Sequence, residues 1–256
     1  MGFIDSVILG IVEGITEFLP ISSTGHLILA SALLGVAQSD FVKSFEIIIQ
    51  LGAICAVVVL YWKLFFNIEI LKRIVVAFIP TGIIGLALYK VVKTYLLGNE
   101  VIVLWALLIG GIALIVFEYF HKEKEHATQD IAAMTYKQSA LIGLFQSIAI
   151  IPGVSRSAAS IVGGLLVGMR RTTIVQFSFL LAVPTMLAAS GLDIVKDHSS
   201  FSGSNIFTLL IGFVVAFVVA LFSIKFLLSY VRKHNFVPFG IYRIVVAILF
   251  WFIIFH

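Results

Sequence analysis

Charge is scarce in this chain. Only 12% of its 256 residues are Asp, Glu, Lys or Arg, against about 25% in a soluble domain. With 61% hydrophobic residues and a mean hydropathy of +1.16, a soluble fold is excluded. The apolar runs are long and unbroken rather than alternating, so the chain reads as a helical integral membrane protein. Cysteine is nearly absent: Cys55 stands alone, which excludes a disulfide within the chain. It lies in an apolar run and reads as a small core residue. Basic stripes interleaved with aromatics are missing, which excludes nucleic acid as a partner. The net charge of +4 is then a matter of orientation, with Lys and Arg gathered in cytoplasmic loops. No basic segment precedes the first apolar run, so no cleavable leader is expected. Met1 to Ser6 match a myristoylation pattern, but the match is short and reads as coincidence.

Two short polar runs stand out against this background. One is Glu13-Gly-Ile-Thr-Glu17-Phe-Leu-Pro20-Ile-Ser-Ser23-Thr-Gly-His26, the other Pro152-Gly-Val-Ser155-Arg156-Ser157. An ionisable group at membrane depth is costly, so each marks a functional site by default.

The apolar spans run near 2–36, 44–62, 74–96, 101–119, 138–169, 172–192, 206–230 and 238–255. The hydrophilic stretch Glu118 to Lys137 reads as a solvated loop between two similar halves. Each half opens on a long span broken by Pro-x-x-Ser, at Pro20–Ser23 and at Pro152–Ser155, with Glu13 opposite Gln146. Paired interrupted segments in matching positions point to a midplane site in an inverted-repeat protein. As one helix, a 35-residue span would run about 52 Å, against a hydrocarbon core of about 30 Å. Two half-depth legs fit better. If both broken spans turn back, Lys43, Lys90, Lys93 and Lys196 lie on the side of the N-terminus. Lys63, Lys72, Arg73, Lys122, Lys124, Lys137, Arg170, Arg171, Arg232 and Lys233 then lie opposite. If both spans cross, the same charges divide evenly, so only the re-entrant arrangement obeys the positive-inside rule. The expected fold is an all-α polytopic membrane protein with inverted-topology repeats. It has six transmembrane helices and two re-entrant helical hairpins that enter from opposite faces and meet near the midplane. One membrane domain, 1–256, comprises repeat one at 1–119, a cytoplasmic linker at 120–137 and repeat two at 138–256, with both termini outside the cytoplasm.

The residue types at the tips suggest phosphoryl chemistry. Glu13 and Glu17 are four apart and share a helix face. Two carboxylates held together in low dielectric need a cation or proton between them. Mg²⁺ is commonly held by one or two carboxylates together with substrate phosphates. Ser22, Ser23 and Thr24 offer hydroxyls at the start of the next half-helix. At least one is an N-cap, and the helix N-terminus itself suits an anion. His26 is the one histidine of six inside an apolar span, and an imidazole beside a serine can activate it. Arg156 binds phosphate through paired N–H groups and stays charged when desolvated. Ser155, Ser157 and Ser160 add donors. Lys225 and Arg243, on uninterrupted helices, read instead as snorkelling cations. Gly163, Gly164 and Gly168 read as helix-packing positions. Glu46, with Gln50 one turn later, either buttresses the site or marks a helix end.

These runs resemble the undecaprenyl-diphosphate phosphatases, the bacitracin resistance protein family, and the resemblance covers essentially the whole chain. The segment Phe45-Glu46 to Gln50-Leu-Gly-Ala-Ile54 is also similar to the family. The resemblance implies a bacterial inner-membrane enzyme using Mg²⁺ or Ca²⁺. It would hydrolyse undecaprenyl diphosphate in the bilayer to the monophosphate and release phosphate at the periplasmic face. That recycles the carrier for peptidoglycan synthesis and confers bacitracin resistance. By position, Glu13 and Glu17 become the metal-binding or base pair, Ser23 and His26 the nucleophile and its acid/base partner, and Arg156 the phosphate ligand. Ser160 stands where the family often has threonine, and Gln176 where an acid is common. Serine attack and attack by an activated water both stay open, as does assembly into a homodimer. A transporter is the rival class, because inverted repeats with broken helices are transporter architecture. A pure carrier, however, has no use for Ser23 and His26 beside Arg156.

Overall fold

A computed structural model of the chain describes residues 1–37, 39–96, 99–124, 126–196 and 206–255. His198 and His256 lie outside the described residues, as do the side chains of Lys93 and Lys196. Among the described residues the regular structure is helical: α1 (Phe3–Thr16), α2 (Ser23–Leu33), α3 (Asp40–Tyr61), α4 (Ile68–Val91), α5 (Glu100–Phe120), α6 (Tyr136–Gln146), α7 (Arg156–Leu166), α8 (Arg171–Lys196), α9 (Ile206–Tyr230) and α10 (Val237–Phe255). The order is short, short, long, long, long, and then the same again. Among the described residues five helices are long and apolar enough to cross a membrane, within Phe41–Phe66, Ile68–Val91, Glu100–Phe120, Arg171–Leu192 and Ile206–Tyr230. The chain is thus an all-α, multi-pass membrane protein. α10 has 19 residues, about 28 Å of helix.

The helix boundaries follow local chemistry. α4 begins several residues before the apolar run at 74–96, because Asn67 caps it by accepting from the Glu69 and Ile70 N–H groups. Glu69 then pairs with Lys72 and Arg73 on the first turns. α1 and α2 pack on each other across the break at Pro20, as α6 and α7 do across Pro152. At 14 and 11 residues for the first pair and 11 and 11 for the second, each leg is about 16–21 Å long.

Packing repeats with the element order. α1 lies on α9 as α6 lies on α4, and α3 on α9 as α8 on α4. The pairs α5–α10 and α3–α8 map onto themselves when the halves are exchanged. With lipid as solvent, such contacts depend on close backbone approach at small residues. Gly10 meets α9, where a β-carbon would sit 2.9 Å from the Gly212 carbonyl, and at Gly143 a β-carbon would overlap the Ala77 carbonyl on α4. Gly163 and Gly164 are packing positions as expected, against Phe145 and Ile174. Gly168 is not: it has φ +86° and a β-carbon there would meet nothing within 4 Å, so it turns the chain after α7.

The hydrophilic stretch is less solvated than its composition suggests. Ala127, Ile131 and Met134 are buried. Glu118 pairs with Arg171, with one contact at 3.0 Å, and accepts the Phe236 N–H at 2.9 Å. That carboxylate joins the end of α5 to the starts of α8 and α10.

Candidate functional site

Both loop tips end on a strained serine. Ser22 has φ 75° and Ser155 φ 76°, the only positive-φ residues besides glycine among those described. Each is the N-cap of the following helix, Ser22 accepting from the Gly25 N–H at 3.4 Å and Ser155 from the Ala158 N–H at 3.2 Å. L-residues hold this conformation only where the surroundings over-determine it, typically at functional sites. The caps also correct the register of the two halves. Matching Pro-x-x-Ser aligns Ser23 with Ser155, but the structure aligns Ser22 with Ser155. In that register Gly10 falls on Gly143, Glu13 on Gln146 and Ser23 on Arg156. Proline stands two residues before one cap and three before the other, which is why the proline motif misleads by one residue.

The tips meet in a cleft of about 220 Å³ lined by Glu17, Ser22, Ser23, Thr24, Gln50, Pro152, Gly153, Ser155, Arg156 and Met186 among others. Both α2 and α7 therefore start at the cleft, a favourable place for an anion. Across it, the Arg156 Nη2–H donates to Glu17 Oε1 at 2.6 Å, and the Ser23 hydroxyl donates to Glu17 Oε2 at 2.6 Å. Arg156 Nη1–H donates to the Ser178 carbonyl at 2.8 Å, which leaves the buried Nε without a partner. Ser178, on α8, also shares a hydrogen bond with Ser160 at 2.7 Å. Ser157 donates to the Leu19 carbonyl at 2.8 Å and so bolts the second tip to the first.

The other expected residues fall outside the cleft wall. Glu13 is fully buried behind it, with no donor group on either carboxylate oxygen; its neighbours are the carboxylates of Glu17 and Glu46 and the guanidinium of Arg156. Of the Glu46/Gln50 pair, Gln50 reaches the cleft. Among the described residues no three His, Cys, Asp or Glu side chains converge as a ready-made metal site. The structure does not place His26 on the Ser23 hydroxyl. His26 Nδ1 lies 2.7 Å from the Ser22 carbonyl, and Nε2 lies 2.9 Å from the Tyr242 hydroxyl. A carbonyl only accepts, so Nδ1 carries the proton and donates to Ser22, while Nε2 shares its hydrogen bond with the Tyr242 hydroxyl. Both nitrogens are thereby engaged.

Arg243 overturns the snorkelling expectation: it is 1% exposed. Its guanidinium donates to the carbonyls of Ala106, Leu107, Gly153 and Val154 at 2.9–3.4 Å. Lys225, by contrast, is exposed. Sequence reasoning missed Tyr242 and Arg243 because an Arg on an uninterrupted apolar helix carries no mark of its partners.

The model of the family described as bacitracin resistance protein BacA matches residues 6–249. Similar curated proteins, each named undecaprenyl-diphosphatase, span nearly all of this chain and of themselves. One from Sulfurihydrogenibium sp. is 54% identical over 98% of this chain and 99% of its own length. Another, from Persephonella marina, is 55% identical over 98% of each. A third, from Aquifex aeolicus, is 51% identical over 96% of each.

Proposed function

The chain belongs to the bacitracin resistance protein family, and we propose that it hydrolyses undecaprenyl diphosphate to undecaprenyl phosphate and inorganic phosphate. Excess enzyme would draw down the diphosphate and so confer bacitracin resistance. The carrying observation is the chain Arg156–Glu17–Ser23, which joins the two tips across one cleft.

Phosphoryl transfer needs mostly positioning and charge stabilisation. The terminal phosphate enters between Arg156 and the hydroxyls of Ser22, Ser23, Thr24 and Ser155, with Ser157 and Ser160 holding Arg156's helix in place. Arg156 leaves Glu17 for the phosphate oxygens, which it can grip bidentately. Ser23 Oγ then attacks the terminal phosphorus while its proton passes to Glu17 Oε2, and undecaprenyl phosphate departs as the P–O bond to the bridging oxygen breaks. Water then attacks the phosphorus of the phosphoserine, Glu17 returns its proton to Ser23 Oγ as the Oγ–P bond breaks, and inorganic phosphate carrying the water oxygen leaves. His26 holds the Ser22 carbonyl and hence the turn that aims Ser23.

A divalent cation, Mg²⁺ or Ca²⁺, fits this site as a substrate-borne partner. The unpartnered Glu13 carboxylate beside Glu17 is a donor pair that incoming phosphates would complete. Bound there, the cation would neutralise phosphate charge.

The proposal includes the membrane arrangement: inverted repeats of 1–119 and 138–256, six crossings, two re-entrant hairpins, a cytoplasmic linker and periplasmic termini in a bacterial inner membrane. The repeated packing pairs and the matched serine caps support the repeats, and the uneven distribution of Lys and Arg supports the orientation. The direct test is phosphate release from a polyprenyl diphosphate by purified protein. Release is expected with Mg²⁺ or Ca²⁺ and should vanish on chelation. No release with either ion would defeat the enzymatic reading.

A further inference from the structure

Arg243 is the largest fully buried side chain of the described residues, and the reaction outlined above makes no use of it. A buried charge is tolerated only when its hydrogen bonds are met. Here they are met by four backbone carbonyls. Two, from Ala106 and Leu107, belong to α5; the other two, from Gly153 and Val154, belong to the loop immediately before Ser155 and Arg156. Gly153 has φ +94° and lies against α5, where a β-carbon would sit 2.7 Å from the Val103 carbonyl. A side chain at position 153 would push the loop off α5. Space for the guanidinium is provided by Gly110, where a β-carbon would overlap the Arg243 Nη2. The preceding residue on α10, Tyr242, holds the other tip through its hydroxyl on His26 Nε2 at 2.9 Å, with the two rings stacked.

We infer that Tyr242 and Arg243 are positioning residues that clasp the two tips to α10. Arg243 sets the loop that aims Arg156, and Tyr242 sets the turn that aims Ser23. A planar fork with donors on three nitrogens suits four carbonyls from two elements; a lysine ammonium, with three donors on one atom, does not. The inference rests on the phosphatase reading for its kinetic arm only.

The test compares Arg243→Lys, Gly110→Ala, their double variant and Tyr242→Phe with the unaltered protein in detergent. Misplacement by about 1 Å costs on the order of 10²-fold in rate. Arg243→Lys and Gly110→Ala should therefore each lower kcat roughly 10–100-fold, with KM moved less than about threefold. Because Gly110→Ala acts by displacing the guanidinium, the double variant should be about as slow as Arg243→Lys alone. Hydrogen exchange should quicken at Val154–Arg156 in the Arg243 and Gly110 variants, and at Ser22–His26 in Tyr242→Phe, with α3 and α9 unchanged. Near-normal kcat in both Arg243→Lys and Gly110→Ala would overturn the clasp. So would multiplicative losses in the double variant. Exchange quickened throughout the protein, or failure to purify a monodisperse species, would make Arg243 a residue of the fold and likewise overturn it. If the unaltered protein releases no phosphate, the phosphatase reading falls alone, and the exchange arm still decides the clasp.

Discussion

At the scale of residues, Glu17 is the hinge of the site. Among the described residues it alone bonds both to Ser23 on its own tip and to Arg156 on the other. Glu17→Gln removes the proton acceptor and should lower kcat by about 10²–10⁴-fold, the usual worth of a general base. His26 touches Ser22 and Tyr242 rather than Ser23. His26→Gln should therefore cost at least an order of magnitude less than Glu17→Gln in the same assay. Ser23→Ala decides the nucleophile. The serine route requires near-total loss of phosphate release, whereas a rate close to normal would assign the attack to water. The chemistry of Glu13, Glu17, Ser23 and Arg156 is legible in the sequence because acids and an arginine are expensive in lipid. Their partners are not legible: nothing in the local pattern joins Arg156 to Ser178 or His26 to Tyr242, over 200 residues away.

At the scale of elements, two broken helix pairs are fastened to each other and to the long helices. Ser157→Ala would remove the buried hydrogen bond that ties the second tip to the Leu19 carbonyl, which would keep only the Ile21 N–H of its own tip. A net hydrogen bond is worth about 0.5–1.5 kcal/mol, so the detergent-solubilised variant should unfold at a lower temperature than the unaltered protein. An unchanged melting temperature would mean that the tips do not rely on that bond. Gly143→Ala tests the α6–α4 crossing. Its β-carbon overlaps the Ala77 carbonyl, so the helices must separate, and folded yield should fall sharply. Equal yield would show that the two helices can part at this crossing without cost. The broken spans, their prolines and their serines are visible in sequence. The residue-by-residue match of the halves is not, because it depends on which serine takes the left-handed cap.

At the scale of the whole molecule, exchanging the halves carries α1–α9 onto α6–α4 and α3–α9 onto α8–α4, and the two caps face one cleft. Charge counting adds an orientation, and labelling checks it. After Cys55→Ser, a single cysteine placed at position 2 should react with a membrane-impermeant maleimide from the periplasmic side, and one at position 122 should not. The reverse pattern would invert the proposed topology and move the cleft to the other face.

Composition and the period of hydrophobicity already specify a helical membrane protein with two interrupted segments, because water and lipid sort residues by type before any tertiary contact forms. Type and spacing alone also identify an acid–hydroxyl tip and an arginine tip. Only the packed chain decides that Glu17 bridges the tips, that His26 turns toward Tyr242, and that Arg243 is buried against four carbonyls rather than reaching for the interface. Each depends on a hydrogen bond between elements distant in sequence. In a dry interior a polar group takes whichever partner the packing brings within about 3 Å.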